Sequence, residues 1–120
     1  MSQDEAQTRT PGERHGRHRE AVRAAVLEGA GVTDRSLRHA VERRAAGLSG
    51  RPGTAEVPAA LEAFVDTVAL GAYRVTREDV DGLRAAGYSE EAIFEITVAA
   101  ALGAASARLE RGLAALEGGG

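Results

Sequence analysis

The stretch from Ser89 to Glu117, SEEAIFEITVAAALGAASARLERGLAALE, limits the fold more than any other part of the chain. Phe94, Val98, Leu102, Ala105, Leu109, Leu113 and Leu116 recur at steps of three and four, which lays one apolar stripe along a helix. Ile96, Ala99, Ala100, Ala101, Gly103 and Ala104 make its middle apolar almost all round. A helix apolar on every side needs cover on every side, and small residues let neighbouring backbones come close. The stripe is therefore expected to form the core of the domain, or of an oligomer that the domain builds. The fold class that follows is all-α: a compact bundle of about five helices around a long C-terminal Ala-rich helix.

Composition narrows the chemistry. Aromatic residues are 3% of the 120, so the core must come from Ala, Leu, Val and Ile, which suits close-packed helices. All 15 basic residues are arginine. There is no cysteine, which excludes disulfides, thiolate metal sites and cysteine nucleophiles. The length is that of one domain. Val98 to Ala105 is too short for a membrane span, so a cytoplasmic protein without a membrane partner is expected. The net charge of −3 is uneven: residues 1–51 hold ten Arg against seven acids, and residues 52–120 hold five Arg against eleven. Such asymmetry can steer a partner or a second subunit, though oppositely charged solvated faces would look the same.

Residues 1–17 are polar, contain Pro and Gly, and show no periodicity, so a disordered tail is expected there, with a single all-helical domain over 18–117 and a flexible end at 118–120. A first helix from about His18 to Glu28 should bury Val22, Ala25 and Val26. Thr33 reads as the N-cap of a second helix reaching about Ala46, with Leu37, Val41 and Leu48 inside and Arg35, Arg38, His39, Arg43 and Arg44 outside. Residues 48–56 form a Gly/Pro linker. Pro58 opens a third helix that buries Leu61, Phe64, Val65, Val68 and Ala72, with Glu62 and Asp66 on an acidic outer face. Thr76 and Asp79 form a capping box for a fourth helix that ends at Gly87, and Ser89 starts the long one.

The segment VPAALEAFVDTVALGAYRVTREDVDGLRAAGYSEEAIFEITVAAALGAASARL resembles the C-terminal part of the alkylhydroperoxidase D-like and carboxymuconolactone decarboxylase-like superfamily. The matching layout is a helix like 58–70, Val75-Thr76 opening the next, the run Leu83 to Glu91, and a long Ala-rich helix with Arg108 near its end. The likeness covers roughly residues 57 to 112 and implies an all-helical fold that assembles through long apolar helices into dimers, trimers or hexamers. Redox members of that superfamily carry Cys-x-x-Cys-x-x-x-His upstream of a turn like Gly31-Val32-Thr33. The corresponding positions here fall near Gly16, Arg19 and Arg23, so peroxidase chemistry does not carry over.

Three functions stay open at this level. One is a non-redox helical homo-oligomer acting as an accessory subunit of a neighbouring enzyme or as a small-molecule binder, with Phe94, Val98, Leu102, Ala105, Leu109 and Leu113 on its oligomer or core helix. Another is a decarboxylase or isomerase with an interface pocket using Arg74, Glu95 and Arg108. The third, a helix-turn-helix nucleic-acid binder, would use Arg35, Arg38, Arg43 and Arg44. No cofactor and no metal is expected: His15 and His18 have no third ligand in sequence.

Overall fold

The computed structural model describes residues 11–118, and it is all-helical. In chain order the elements are α1 (Pro11–Glu28), α2 (Arg35–Leu48), α3 (Ala59–Leu70), a 3-10 turn (Ala72–Arg74), α4 (Arg77–Ala85) and α5 (Glu90–Gly118). The long last helix is the hub. It packs chiefly on α2, then on α3, with lighter contacts to α1 and α4.

Local chemistry sets the boundaries. The Thr76 hydroxyl accepts from the Asp79 amide at 3.2 Å, and the Asp79 carboxylate accepts from the Thr76 amide at 2.9 Å, which completes the expected capping box. Gly87 sits at φ +104°, a conformation that glycine adopts without strain. The amides of Gly87 and Tyr88 donate back to the carbonyls of Arg84 and Leu83, so the αL glycine closes α4. Ser89 then accepts from the Ala92 amide and opens α5.

The core is made of Leu27, Val41, Ala45, Leu61, Phe64, Val65, Val68, Ile93, Ile96, Ala99, Ala100 and Ala104, with a few neighbours. Alanine and glycine on α5 let α2 approach closely. A Cβ on Gly103 would run into the carbonyl oxygen of Glu42, so this position holds the two backbones together.

Several expectations need correction. α1 begins at Pro11, so residues 11–17 are helical; residues 1–10 and 119–120 of the expected tails lie outside the described residues. Its buried residue is Leu27, while Val22 is 40% exposed and Ala25 is also exposed, because α1 packs only lightly on α2 and α5. The inner line of α2 is Arg38, Val41, Glu42, Ala45 and Ala46; Leu48 is out in solvent. Ala69 takes the core place expected for Ala72, since α3 stops at Leu70. By length and composition α5 is also long and apolar enough to cross a membrane, contrary to expectation, because its Ala-rich flanks extend the apolar run beyond Val98 to Ala105. Its inner face is packed within the bundle.

The stripe on α5, expected in the core of the domain or of an oligomer, does not form the core of the single chain. The buried face is Ala92, Ile93, Ile96, Ala99, Ala100, Gly103, Ala104 and Ala107. At 3.6 residues per turn, the stripe from Phe94 to Leu116 points roughly the opposite way. Phe94 is 69% exposed and Leu116 82%, with Leu109 and Leu113 near two-fifths. After Ile93 and Ile96 the buried face carries only alanine and glycine, while most of the large side chains follow the outer face. Within one chain, the small face won the core because it permits closer helix packing.

Candidate functional site

Glu95 anchors the first candidate region. It lies one turn into α5, facing the turn between α1 and α2. Its carboxylate accepts from the Val32 amide at 2.9 Å, the Thr33 amide at 2.9 Å and the Thr33 hydroxyl at 2.5 Å. The residue at the N-cap of α2 is Asp34, and its side chain makes no capping bond. Thr33, expected as that cap, instead binds Glu95. The carboxylate thus stands near the positive end of α2 and ties the turn before that helix to α5; the amides it binds precede the N-cap, so it does not cap the helix. Bonding to the Thr33 hydroxyl, helped by the two amides and by the nearby Arg38 charge, holds the Glu95 carboxyl below its ordinary range against the opposing effect of burial. Gly31 leaves room for this contact, since a Cβ there would meet the carboxylate.

Beside Glu95 lies Arg38, 4% exposed. One terminal nitrogen, Nη1, donates to the Val26 carbonyl at 3.1 Å in the last turn of α1. Its Nε is buried and finds no partner among the described residues. Arg38 and Glu95 edge a cleft of about 240 Å³ whose apolar walls are Ala25, Val26, Ala30, Phe94 and Val98. A guanidinium and a carboxylate at the edge of an apolar cleft can orient a small molecule through its polar groups.

A second cleft, about 340 Å³, opens between α1 and the middle of α5. Val22, Leu102 and Ser106 line it, with Arg19, Arg23, Arg51 and Glu110 among its polar residues. Beside it an ion-pair chain fastens the fold: Arg51 reaches Glu42 at 2.7 Å and Glu110 at 2.8 Å, and Arg23 stands 3.7 Å from Glu42. Glu42 is fully buried and its Oε2 has no hydrogen-bond partner among the described residues.

The other residues singled out in the sequence are spread apart. Arg108 donates to the Ala69 carbonyl near the end of α3, and Arg74 lies over the exposed Tyr73 ring at 5.7 Å. Glu95 and Arg108 are thirteen positions apart on one helix, or about 20 Å along its axis. Arg74, Glu95 and Arg108 therefore do not share a site within one chain. The four arginines of α2 do not make one surface either. Arg38 is buried and Arg44 forks onto Asp66 at 2.8 and 3.0 Å, leaving Arg35 and Arg43 exposed. His39 pairs with Glu28 at 2.5 Å. Glu62 is exposed and Asp66 is held by Arg44.

Sequence reasoning missed that Arg38 and Glu95 line one cleft, and it missed the burial of Glu42. The signal for Glu42 was present: positions 38, 41, 42 and 45 share one helix face, and Val41 and Ala45 mark that face as the inner one. The Glu95 contact spans more than sixty positions and leaves no local trace. No protein-family model, no curated protein and no solved structure matches this chain.

Proposed function

We propose that this chain is a non-redox helical homo-oligomer that holds a small molecule in the Arg38–Glu95 cleft, either as a binder in its own right or as an accessory subunit of a neighbouring enzyme. The observation that carries this reading is the outer face of α5. Phe94, Leu109, Leu113 and Leu116 form one aligned apolar stripe in solvent on the helix that organises the fold. Aligned exposure of this kind marks an association surface, whereas scattered exposed leucines would not. The resemblance to the alkylhydroperoxidase D-like and carboxymuconolactone decarboxylase-like superfamily points the same way, because the likeness implies assembly through long apolar helices. The absence of cysteine removes the superfamily's thiol chemistry.

Light scattering over a range of protein concentrations tests the assembly. The wild type should have a mass at least twice the chain's 12.5 kDa. Leu109→Glu, which puts a charge in the middle of the stripe, should return it to one chain while leaving the helical spectrum intact. A wild-type monomer at millimolar concentration would remove the reading. The ligand part is tested by thermal melting with a panel of small apolar carboxylates. A compound that raises the melting temperature of the wild type, and fails to do so for Arg38→Met, identifies the cleft as the site.

A further inference from the structure

We infer that two copies of this chain pair antiparallel along the outer faces of α5, about a two-fold axis level with Ala107, and that Leu113 of each copy enters the Leu102 cleft of the other. The inference rests on the homo-oligomer reading above and specifies its geometry.

The stripe supplies the register. Val98, Leu102, Ala105, Leu109, Gly112 and Leu116 are separated by alternating steps of four and three, the repeat of a helix–helix seam. Within the seam, Val98, Leu102, Leu109 and Leu116 are large, while Ala105 and Gly112 are small. An antiparallel seam sets each position against one whose number makes a constant sum with its own. With the sum at 214, Leu109 faces Ala105, Leu102 faces Gly112 and Val98 faces Leu116. Every seam position then has an apolar partner, and two of the three contacts set a leucine over a small residue. Sliding by one heptad in one direction sets Leu116 against Glu91 and Gly112 against Glu95. Sliding the other way carries the partners of Leu102 and Val98 past Gly118, where the described residues end.

The surroundings agree. From Arg108 to Gly118 every residue of α5 is exposed, and after Arg111, whose side chain still reaches the Ser49 carbonyl, the last two turns or so extend past the body of their own chain. In the antiparallel pair each extension lies along the middle of the other α5 and receives the cover it lacks. Ser106 and Leu113 are one heptad apart and share a flank of the stripe. A two-fold axis of this kind brings like flanks together, so Leu113 arrives level with Leu102, beside the 340 Å³ cleft formed by Val22, Leu102 and Ser106. The polar edge of that cleft is mixed in sign, with Arg19 and Arg23 beside Glu20 on α1 and Glu110 on α5, so the apolar contact of Leu113 is what seats the arriving helix.

The chain has no cysteine, so introduced thiols report the pairing without background. Leu102→Cys and Gly112→Cys proteins, mixed and oxidised, should form a disulfide-linked dimer between the two variants, and neither should crosslink to itself. Self-pairs at these positions lie about 15 Å apart along the axis, beyond disulfide reach. Ala105→Cys mixed with Leu109→Cys repeats the test at the second layer, in case cysteine at Gly112 disturbs packing. Light scattering on the same unoxidised variants separates the two ways of failing. Dimers whose Leu102→Cys and Gly112→Cys variants each crosslink only to themselves pair in parallel, which overturns the register but keeps the oligomer. Dimers with no crosslink at either layer place the interface elsewhere and overturn the inference too. Monomers that sediment with lipid vesicles overturn both readings, because a membrane would then be what covers the stripe.

Discussion

At the scale of single residues, arginine is the fold's fastener. Arg38 holds the Val26 carbonyl, Arg108 the Ala69 carbonyl and Arg111 the Ser49 carbonyl, each at or near the C-terminal end of a helix. A helix end leaves carbonyls without intrahelical donors, and a guanidinium brings several donors on a long arm. Arg108, a catalytic candidate in the sequence, is placed by this role. Glycine acts in the opposite sense, by absence. Gly103→Ala would drive a methyl into the Glu42 carbonyl, a backbone atom that cannot swing aside. Overpacking of that kind costs about 1–3 kcal/mol, more than the helix propensity that alanine adds. Gly82 also lies inside a helix, but a Cβ there meets nothing. Gly82→Ala should therefore raise stability by up to about 1 kcal/mol while Gly103→Ala lowers it. Opposite shifts of the urea midpoint are the expected result, and parallel shifts would contradict the close α2–α5 contact.

Glu95 yields a pH dependence whose sign follows from its environment. Its carboxyl titrates lower in the folded state than in the unfolded one, because the Thr33 hydroxyl and two amides bond the ionised form. The unfolded chain therefore takes up this proton first. The stabilisation is complete above the ordinary glutamate value of 4.5 and is lost as the pH falls from there through the lower folded-state value. Glu95→Gln cannot titrate. It should be less stable than wild type at pH 7 and should lose less of its remaining stability on acidification. Urea unfolding at stepped pH measures both curves; an equally steep acid limb in the variant would mean that Glu95 is not the group responsible.

At the scale of elements, what was legible in the sequence was what neighbours decide. The Thr76–Asp79 box, the Gly87 turn and the Ser89 start involve partners within five positions, and all three stand where the residue pattern puts them. The faces of helices were less legible. An apolar stripe at helical spacing fits the core of one chain and the core of an oligomer equally, so periodicity alone does not decide which face of α5 turns inward. A helix of small residues packs closer, and on α5 that face meets α2 through Gly103. Thr33 depends on a distant partner: a hydroxyl before a helix suggests a cap, but this one donates to a carboxylate from α5, and the N-cap is Asp34. The segment after α2 shows the same dependence on distant partners. Arg51 stands in a linker with no periodicity, but it neutralises the fully buried Glu42 and reaches Glu110 on α5. Arg51→Ala would strand that buried charge, with only Arg23 nearby, at a cost of about 3–5 kcal/mol. Glu110 is half exposed, and Glu110→Ala should cost under about 1 kcal/mol. Comparable losses for the two variants would mean that Glu42 is not held as an ion in the fold.

At the scale of the whole molecule, the chain is less compact than its length allows. Its radius of gyration is 16.3 Å, against about 14 Å for a well-packed domain of 120 residues. The excess accompanies two under-covered elements, α1 and the last turns of α5, and the second of these carries the assembly stripe. Folding and assembly should therefore come apart when the chain is shortened at the right place. Ending it after Arg108 keeps every buried residue of α5, the last being Ala107, and keeps the staple to the Ala69 carbonyl. It removes Leu109, Leu113 and Leu116, and with them half the seam. This shortened protein should still melt cooperatively, scatter as one chain, and show a melting temperature that does not change with concentration. The full chain should melt higher as its concentration rises, because association stabilises only the folded state. Ending the chain at Gly103 instead deletes Ala104 and Ala107 from the core and should leave no soluble fold. If the protein ending at Arg108 still has the mass and the concentration dependence of the full chain, residues 109–120 do not hold the subunits together, and the surface of α1 becomes the next interface to examine.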